Sequence, residues 1–225
     1  MIFFDLDDTL IDRKKAEYLG VKAFYSEHSP LFAAHKDTFY ESWRKISNGH
    51  FRRFLDGEIS FAQQRIERMK DVFALSGIDL SDSEANRQFK IYRRHYEVNL
   101  VPYDDVVPCL ERLKGRRLGI ITNGDLEEQM FKLGKINDRN FFEIVIAAGD
   151  VGAAKPDLEI FKIACERANV DARDCVYVGD DVGIDILPCM KAGMDGIWLN
   201  RKDEGQAFPG IRTIRDLAEL ESVLP

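Results

Sequence analysis

Five short apolar runs, at residues 2–6, 118–122, 144–148, 175–178 and 196–199, constrain the fold of this chain more than any other feature. They are rich in Ile, Val and Phe, show no sustained alternation with polar residues, and lead into Asp, Asn or Gly. Strands covered on both faces and ending in loops have this pattern, whereas a half-solvated strand alternates. Between the later runs lie helix-like stretches at 105–114, 126–133, 157–168 and 184–192. Strand and helix taken in turn imply a parallel sheet with helices on both faces, an α/β fold.

The alternation breaks once. From residue 13 to residue 99 no strand pattern occurs, and apolar residues recur at helical spacing. Tyr18, Val21, Phe24 and Tyr25 form one stripe, and Ala62, Ile66, Met69 and Phe73 form another. Asp56-Gly57 and Gly77-Ile78-Asp79 divide the region. A connection this long exceeds what a crossover helix needs. The expected organisation is therefore a core of residues 1–13 and 100–225 with an all-helical domain, 14–99, inserted after the first strand. Residues 211–224 read as a short strand or turn followed by a helix.

Composition excludes several functions. Against 32 basic residues stand 39 acidic ones, a net charge of -7, the reverse of what a phosphate-neutralising nucleic-acid surface or an anionic membrane binder carries. Cys109, Cys165, Cys175 and Cys189 form no C-x-x-C pair and are expected to be reduced, mostly buried thiols. His28, His35, His50 and His95 lack metal-binding spacing. The apolar run behind Met1 is too short for a signal peptide, so a cytoplasmic protein is expected.

Four places can carry chemistry. In Phe3-Phe4-Asp5-Leu6-Asp7-Asp8-Thr9-Leu10 a buried strand delivers three carboxylates to the loop at its C-terminal end, where open parallel sheets bind ligands. Asp5 and Asp7 fall on the same side of an extended chain. Such close like charges are tolerable with a cation between them or with one acid protonated. The stretch from Val176 to Asp185 repeats the arrangement, with Gly179 before Asp180, Asp181 and Asp185. It fits either oxygen ligands for a hard divalent cation or an acidic helix start. Thr122-Asn123-Gly124 is either a nest for an anionic oxygen or a helix cap. Lys155 precedes Pro156, which is expected to occupy the first position of a helix; alone, this pair also suits an ordinary surface lysine.

Taken together and in order, these features resemble the haloacid dehalogenase superfamily of aspartyl-phosphate-forming hydrolases. The resemblance rests on D-x-D-x-T at Asp5, Asp7 and Thr9, on Thr122-Asn123-Gly124, on Lys155-Pro156, and on G-D-x4-D at Gly179, Asp180 and Asp185. The insert resembles the helical cap of the phosphoglycolate phosphatase, β-phosphoglucomutase and pyrimidine nucleotidase branches. Residues 57–65 and 119–124 are most similar to the nucleotidase and N-acylneuraminate-9-phosphatase group.

The resemblance implies a Rossmann-like sheet core and a set of roles. Asp5 would be the nucleophile and Asp7 the acid and base, protonated when substrate arrives. Mg2+ would be held by the carboxylates of Asp5 and Asp180 and the backbone carbonyl of Asp7, with the role of Asp181 open. Thr122, Asn123 and Lys155 would hold the phosphoryl oxygens, Asp185 would orient metal waters or Lys155, and Asp8 and Thr9 would close the turn. Arg65 in the insert would contribute to substrate choice, within a basic run of Arg44, Lys45, His50, Arg52 and Arg53 that suits either substrate steering or solvated helix surface. The implied partner is a small phosphorylated metabolite, with no nucleic acid and no membrane; monomer and homodimer are both compatible. Asp7 argues for phosphate esters, because the superfamily's dehalogenases lack that second aspartate. A sugar-phosphate mutase of the same superfamily is the alternative. A phospho-accepting signalling receiver fits less well, because its acids occur in a different order and without a long insert.

Overall fold

The computed structural model describes residues 1–136, 141–202, 205 and 208–225. Among these residues six strands form one sheet: β1 (Ile2–Phe4), β2 (Leu118–Thr122), β3 (Ile144–Ala147), β4 (Val176–Gly179), β5 (Asp195–Leu199) and β6 (Arg212–Ile214). Their spatial order is β3-β2-β1-β4-β5-β6, and every neighbouring pair is parallel. The chain runs outward from β1 in one direction through β2 and β3 and in the other through β4, β5 and β6. The order therefore reverses at β1, where a parallel sheet opens a crevice at its carboxyl edge.

The chain divides into two compact units, Arg13–Leu100 and Met1–Asp12 with Val101–Pro225. The first contains helices α1 (Arg13–Glu27), α2 (Phe39–Leu55), α3 (Phe61–Ala74) and α4 (Asp82–Val98), with a short 3-10 turn at Ala33–His35. Aromatic residues fill its interior, with Phe24, Phe32, Phe39, Trp43, Phe73 and Tyr92 all buried. Ser60 and Ser81 cap α3 and α4, and Ser81 forms a reciprocal capping box with Glu84.

The second unit holds the sheet together with α5 (Val106–Arg112), α6 (Leu126–Leu133), α7 (Ala148–Val151), α8 (Leu158–Ala168), α9 (Leu187–Lys191) and α10 (Leu220–Val223). Phe3, Ile121, Ile146 and Tyr177 share one core with Ile160, Phe161 and Ala164 of α8 and Cys189 of α9. The four cysteines are buried and free. No helix of the described residues is long and apolar enough to cross a membrane.

The elements differ from the sequence expectation at their ends. β1 stops at Phe4, because the Leu6 carbonyl accepts from the amides of Leu10 and Ile11 and closes a loop there. Ala148 starts α7 instead of ending β3. The stretch 184–192 is two elements, a π-helical turn at Val182–Ile186 and then α9. Pro156 lies outside α8, whose cap is Asp157 accepting from the amide of Glu159.

Candidate active site

The loop that follows β1 begins with Asp5, whose amide donates to the Val178 carbonyl of β4 at 2.9 Å. The position between two parallel neighbours keeps this side chain out of water, and Asp5 is 5% exposed. Lys155, equally buried, donates from Nζ to Asp5 Oδ1 at 2.6 Å, to Asp185 Oδ1 at 2.7 Å and to the Tyr177 hydroxyl at 2.8 Å. Burial pushes the Asp5 carboxyl up to about 8; the Lys155 ammonium pulls it down, while Asp185 and Asp180 push it further up. Burial also works against the Lys155 charge, but the Asp185 and Asp5 carboxylates outweigh it and hold the ammonium above its usual range.

Asp180 and Asp185 come from the segment after β4. Oxygens of Asp5, Asp180 and Asp185 lie within 4.8 Å of one another, and no other such cluster of metal-ligating side chains occurs among the described residues. Gly179 permits the approach, since a Cβ there would meet Asp185 Cβ and Cγ at 2.6 Å. The Asp185 carboxylate also accepts from the amide of Asp181 at 3.1 Å. Asp181 itself serves the backbone, because its Oδ1 accepts from the amides of Gly183 and Ile184 at 2.8 and 2.9 Å and caps the π-helical turn. Three oxygen-donor acids, two of them on one ammonium, fit a hard divalent cation, which would supply the positive charge that the set lacks. Asp185 is thus near enough to be a ligand itself, beyond the role of orienting Lys155.

Thr122, buried at the end of β2, precedes Asn123. The Asn123 side chain is fully engaged with the backbone of Lys155, accepting from its amide and donating to its carbonyl, both at 2.7 Å. That pair of hydrogen bonds holds the Lys155-Pro156 segment, whose peptide is cis.

The Asp7 carboxylate is not part of the three-acid cluster. Both of its oxygens accept from Lys132 Nζ, at 2.8 and 2.7 Å. Asp8 adopts a left-handed backbone, with φ of 67°. Asp tolerates that region better than most residues, and here it turns the chain back so that the Asp8 amide reaches the Ile11 carbonyl. Thr9 is fully buried, and its carbonyl accepts from Arg201 Nη2 at 2.8 Å, while the same guanidinium grips both oxygens of Asp105. Arg65 belongs to the helical unit, where its guanidinium lies over the rings of Phe61 and Phe89. In that unit Arg53 pairs with Glu58 and Glu67, Arg44 with Glu17, and His50 with Asp71, so much of the basic run is already neutralised by acids.

Sequence reasoning missed Lys132, Tyr177 and Arg201. Tyr177 reads as one more apolar strand residue, and Arg201 follows the last clear strand without a motif. Lys132 carries a faint signal, since it follows Gln129 by three residues on one face of α6, the face that is buried.

Comparison with known proteins shows the family. The chain is 27% identical over 230 residues to the pyrimidine 5'-nucleotidase YjjG of Escherichia coli, covering 99% of this chain and 96% of that protein. It is 26% identical over 215 residues to the N-acylneuraminate-9-phosphatase of Mus musculus, covering 89% and 82%. The crystal structure of the putative HAD-hydrolase YfnB from Bacillus subtilis, bound to magnesium, superposes with a TM-score of 0.81 at 26% identity, over 99% of this chain and 97% of that one. Residues 1–193 match the family model of haloacid dehalogenase-like hydrolases. With that match spanning most of the sequence and the acid-lysine cluster sitting where the sheet order reverses, the chain belongs to the haloacid dehalogenase-like hydrolase family and is a hydrolase.

Proposed function

We propose that this hydrolase is a Mg2+-dependent phosphatase that cleaves a small phosphorylated metabolite through an aspartyl-phosphate. The observation that carries the reading is the setting of Asp5, a buried carboxyl 2.6 Å from Lys155 Nζ and grouped with Asp180 and Asp185. Asp5 attacks phosphorus in line, and its new P–O bond forms as the bond to the leaving oxygen breaks. Asp7 gives its proton to that oxygen, releasing an alcohol. Water then attacks the aspartyl-phosphate and passes a proton to Asp7, which frees inorganic phosphate and restores Asp5. Lys155, the Thr122 hydroxyl and the Asn123 amide hold the phosphoryl oxygens where negative charge gathers.

The carboxylates of Asp5 and Asp180 and the Asp7 carbonyl, with Asp185 beside them, would hold Mg2+, which would supply positive charge against the repulsion between the anionic nucleophile and the phosphate dianion. The names of the relatives favour a nucleoside monophosphate or a sugar phosphate as substrate. The test is phosphate release from p-nitrophenyl phosphate and from a panel of phosphorylated metabolites, with Mg2+ and with a chelator. The wild type should turn over only with the metal, and Asp5→Asn should be inert. An active Asp5→Asn protein would remove the nucleophile assignment.

A further inference from the structure

α6 is an amphipathic helix worn inside out. Its polar Gln129 and Lys132 are 2% exposed, while its apolar Met130 and Phe131 are 51% and 38% exposed. Withdrawing a lysine this far from water costs several kcal/mol unless an anion receives it, and Lys132 gives Nζ to both oxygens of Asp7, with Glu128 one helical turn away at 3.4 Å. The second buried lysine of the site, Lys155, contacts Asp5. Asp5 and Asp7 of the first loop therefore each have their own lysine. A carboxyl held through both oxygens turns about its Cα–Cβ and Cβ–Cγ bonds only by giving up a hydrogen bond, so α6 sets the direction in which Asp7 points.

We propose that Lys132 is a positioning residue for Asp7, keeping its bond to one carboxyl oxygen while the other oxygen releases its own, carries the proton handed to the leaving oxygen and later takes one from the attacking water. This rests on the phosphatase reading above and adds to it a residue outside the motifs of the sequence. Both proton transfers stay on Asp7, and Lys132 makes and breaks no covalent bond.

Nitrophenolate departs without being protonated, whereas an alkoxide does not, and hydrolysis of the aspartyl-phosphate needs the base whatever the substrate. Lys132→Met is therefore compared with wild type on p-nitrophenyl phosphate and on the primary alkyl phosphate that the metabolite panel ranks first. General acid–base catalysis contributes about 10²–10⁴-fold, and a misaligned Asp7 should forfeit about 10–100-fold of it. For the alkyl phosphate, kcat and kcat/KM should both fall by that factor. For p-nitrophenyl phosphate kcat/KM should stay within about threefold of wild type while kcat and KM fall together, with a pre-steady-state burst of one nitrophenolate per enzyme.

Equal losses of kcat/KM on both substrates, or none on either, would overturn the assignment, because a lysine that merely braces the fold has no preference for leaving groups. If Lys132→Met does not fold, Lys132→Gln, which keeps one donor, is measured in its place against the same criteria. A wild type inert toward both phosphates would instead defeat the phosphatase reading, and the assignment with it.

Discussion

Replacing Lys155 by Met removes one ammonium from the buried cluster and keeps most of the aliphatic stem. Three interactions disappear together, to Asp5, Asp185 and the Tyr177 hydroxyl, at 2.6, 2.7 and 2.8 Å. Asp5 and Asp185 are then left out of water with no cation between them. Removing one partner of a buried pair costs about 3–5 kcal/mol. In a chain of this size each kcal/mol moves the unfolding midpoint by about 2–4 °C, so Lys155→Met should melt about 6–20 °C below wild type at pH 8 in chelator. Mg2+ should recover part of the loss, because it restores positive charge to the same oxygens.

The pH dependence has a definite sign. Burial already holds Asp5 well above the unfolded value of an aspartate, near 3.9, and without Lys155, which pulls it down, it rises further. Between the unfolded and folded values the native state binds more protons than the unfolded state. Stability therefore falls as pH rises. The deficit of the variant should be smallest near pH 5 and largest near pH 8. Thermal melts of both proteins at the two pH values, with chelator and with Mg2+, provide the measurement. A midpoint within about 2 °C of wild type at pH 8, or a deficit that shrinks as pH rises, would refute the reasoning.

Gly179→Ala should crowd Asp185, whose Cβ and Cγ would lie 2.6 Å from the added methyl. Overpacking of this kind costs about 1–3 kcal/mol, and a displacement of about 1 Å in the site costs on the order of 100-fold in rate; steady-state phosphate release near the wild-type rate would count against it. Asp180→Ala and Asp181→Ala should separate two neighbouring acids. The first should raise the Mg2+ concentration for half-maximal activity by at least about tenfold, the loss that even outer partners of a metal cause. The second removes a cap worth about 0.5–2 kcal/mol and should lower the melting midpoint with the metal requirement unchanged. Mg2+ titrations of both variants decide, and matching behaviour would contradict the geometry.

Much of this arrangement is visible in the residues themselves. The apolar runs mark the interior strands because both faces of a parallel sheet are covered, which leaves no alternation to confuse them with a half-wet strand. The acids after β1 and β4 announce themselves because they follow buried strands directly. What stays hidden depends on pairing in space. Tyr177 is one more residue in an apolar strand until its hydroxyl meets the Ile121 carbonyl of β2 and Asp185 beside Lys155. Lys132 looks like solvated helix surface, since its spacing from Gln129 is a faint hint beside the charges around it that α6 buries its polar side. The division of labour between Asp180 and Asp181 is likewise illegible from spacing alone, because it is decided by which carboxylate turns toward the amides of Gly183 and Ile184. The end of β1 at Phe4 depends on Leu6 giving its carbonyl to Leu10 and Ile11, a loop closure that strand propensity does not encode.

The sheet order has a consequence for how the molecule is made. β1 leaves the ribosome before the two strands that flank it, and Lys155 follows Asp5 by 150 positions. Ile2, Phe3 and Phe4 must wait unsheltered through the synthesis of the whole helical segment before β2 and then β4 cover them. Such distant pairing slows folding and exposes the nascent chain to aggregation. A translation product halted before β4 carries a sticky apolar segment and no working centre, so chaperone attention during synthesis should fall on β1.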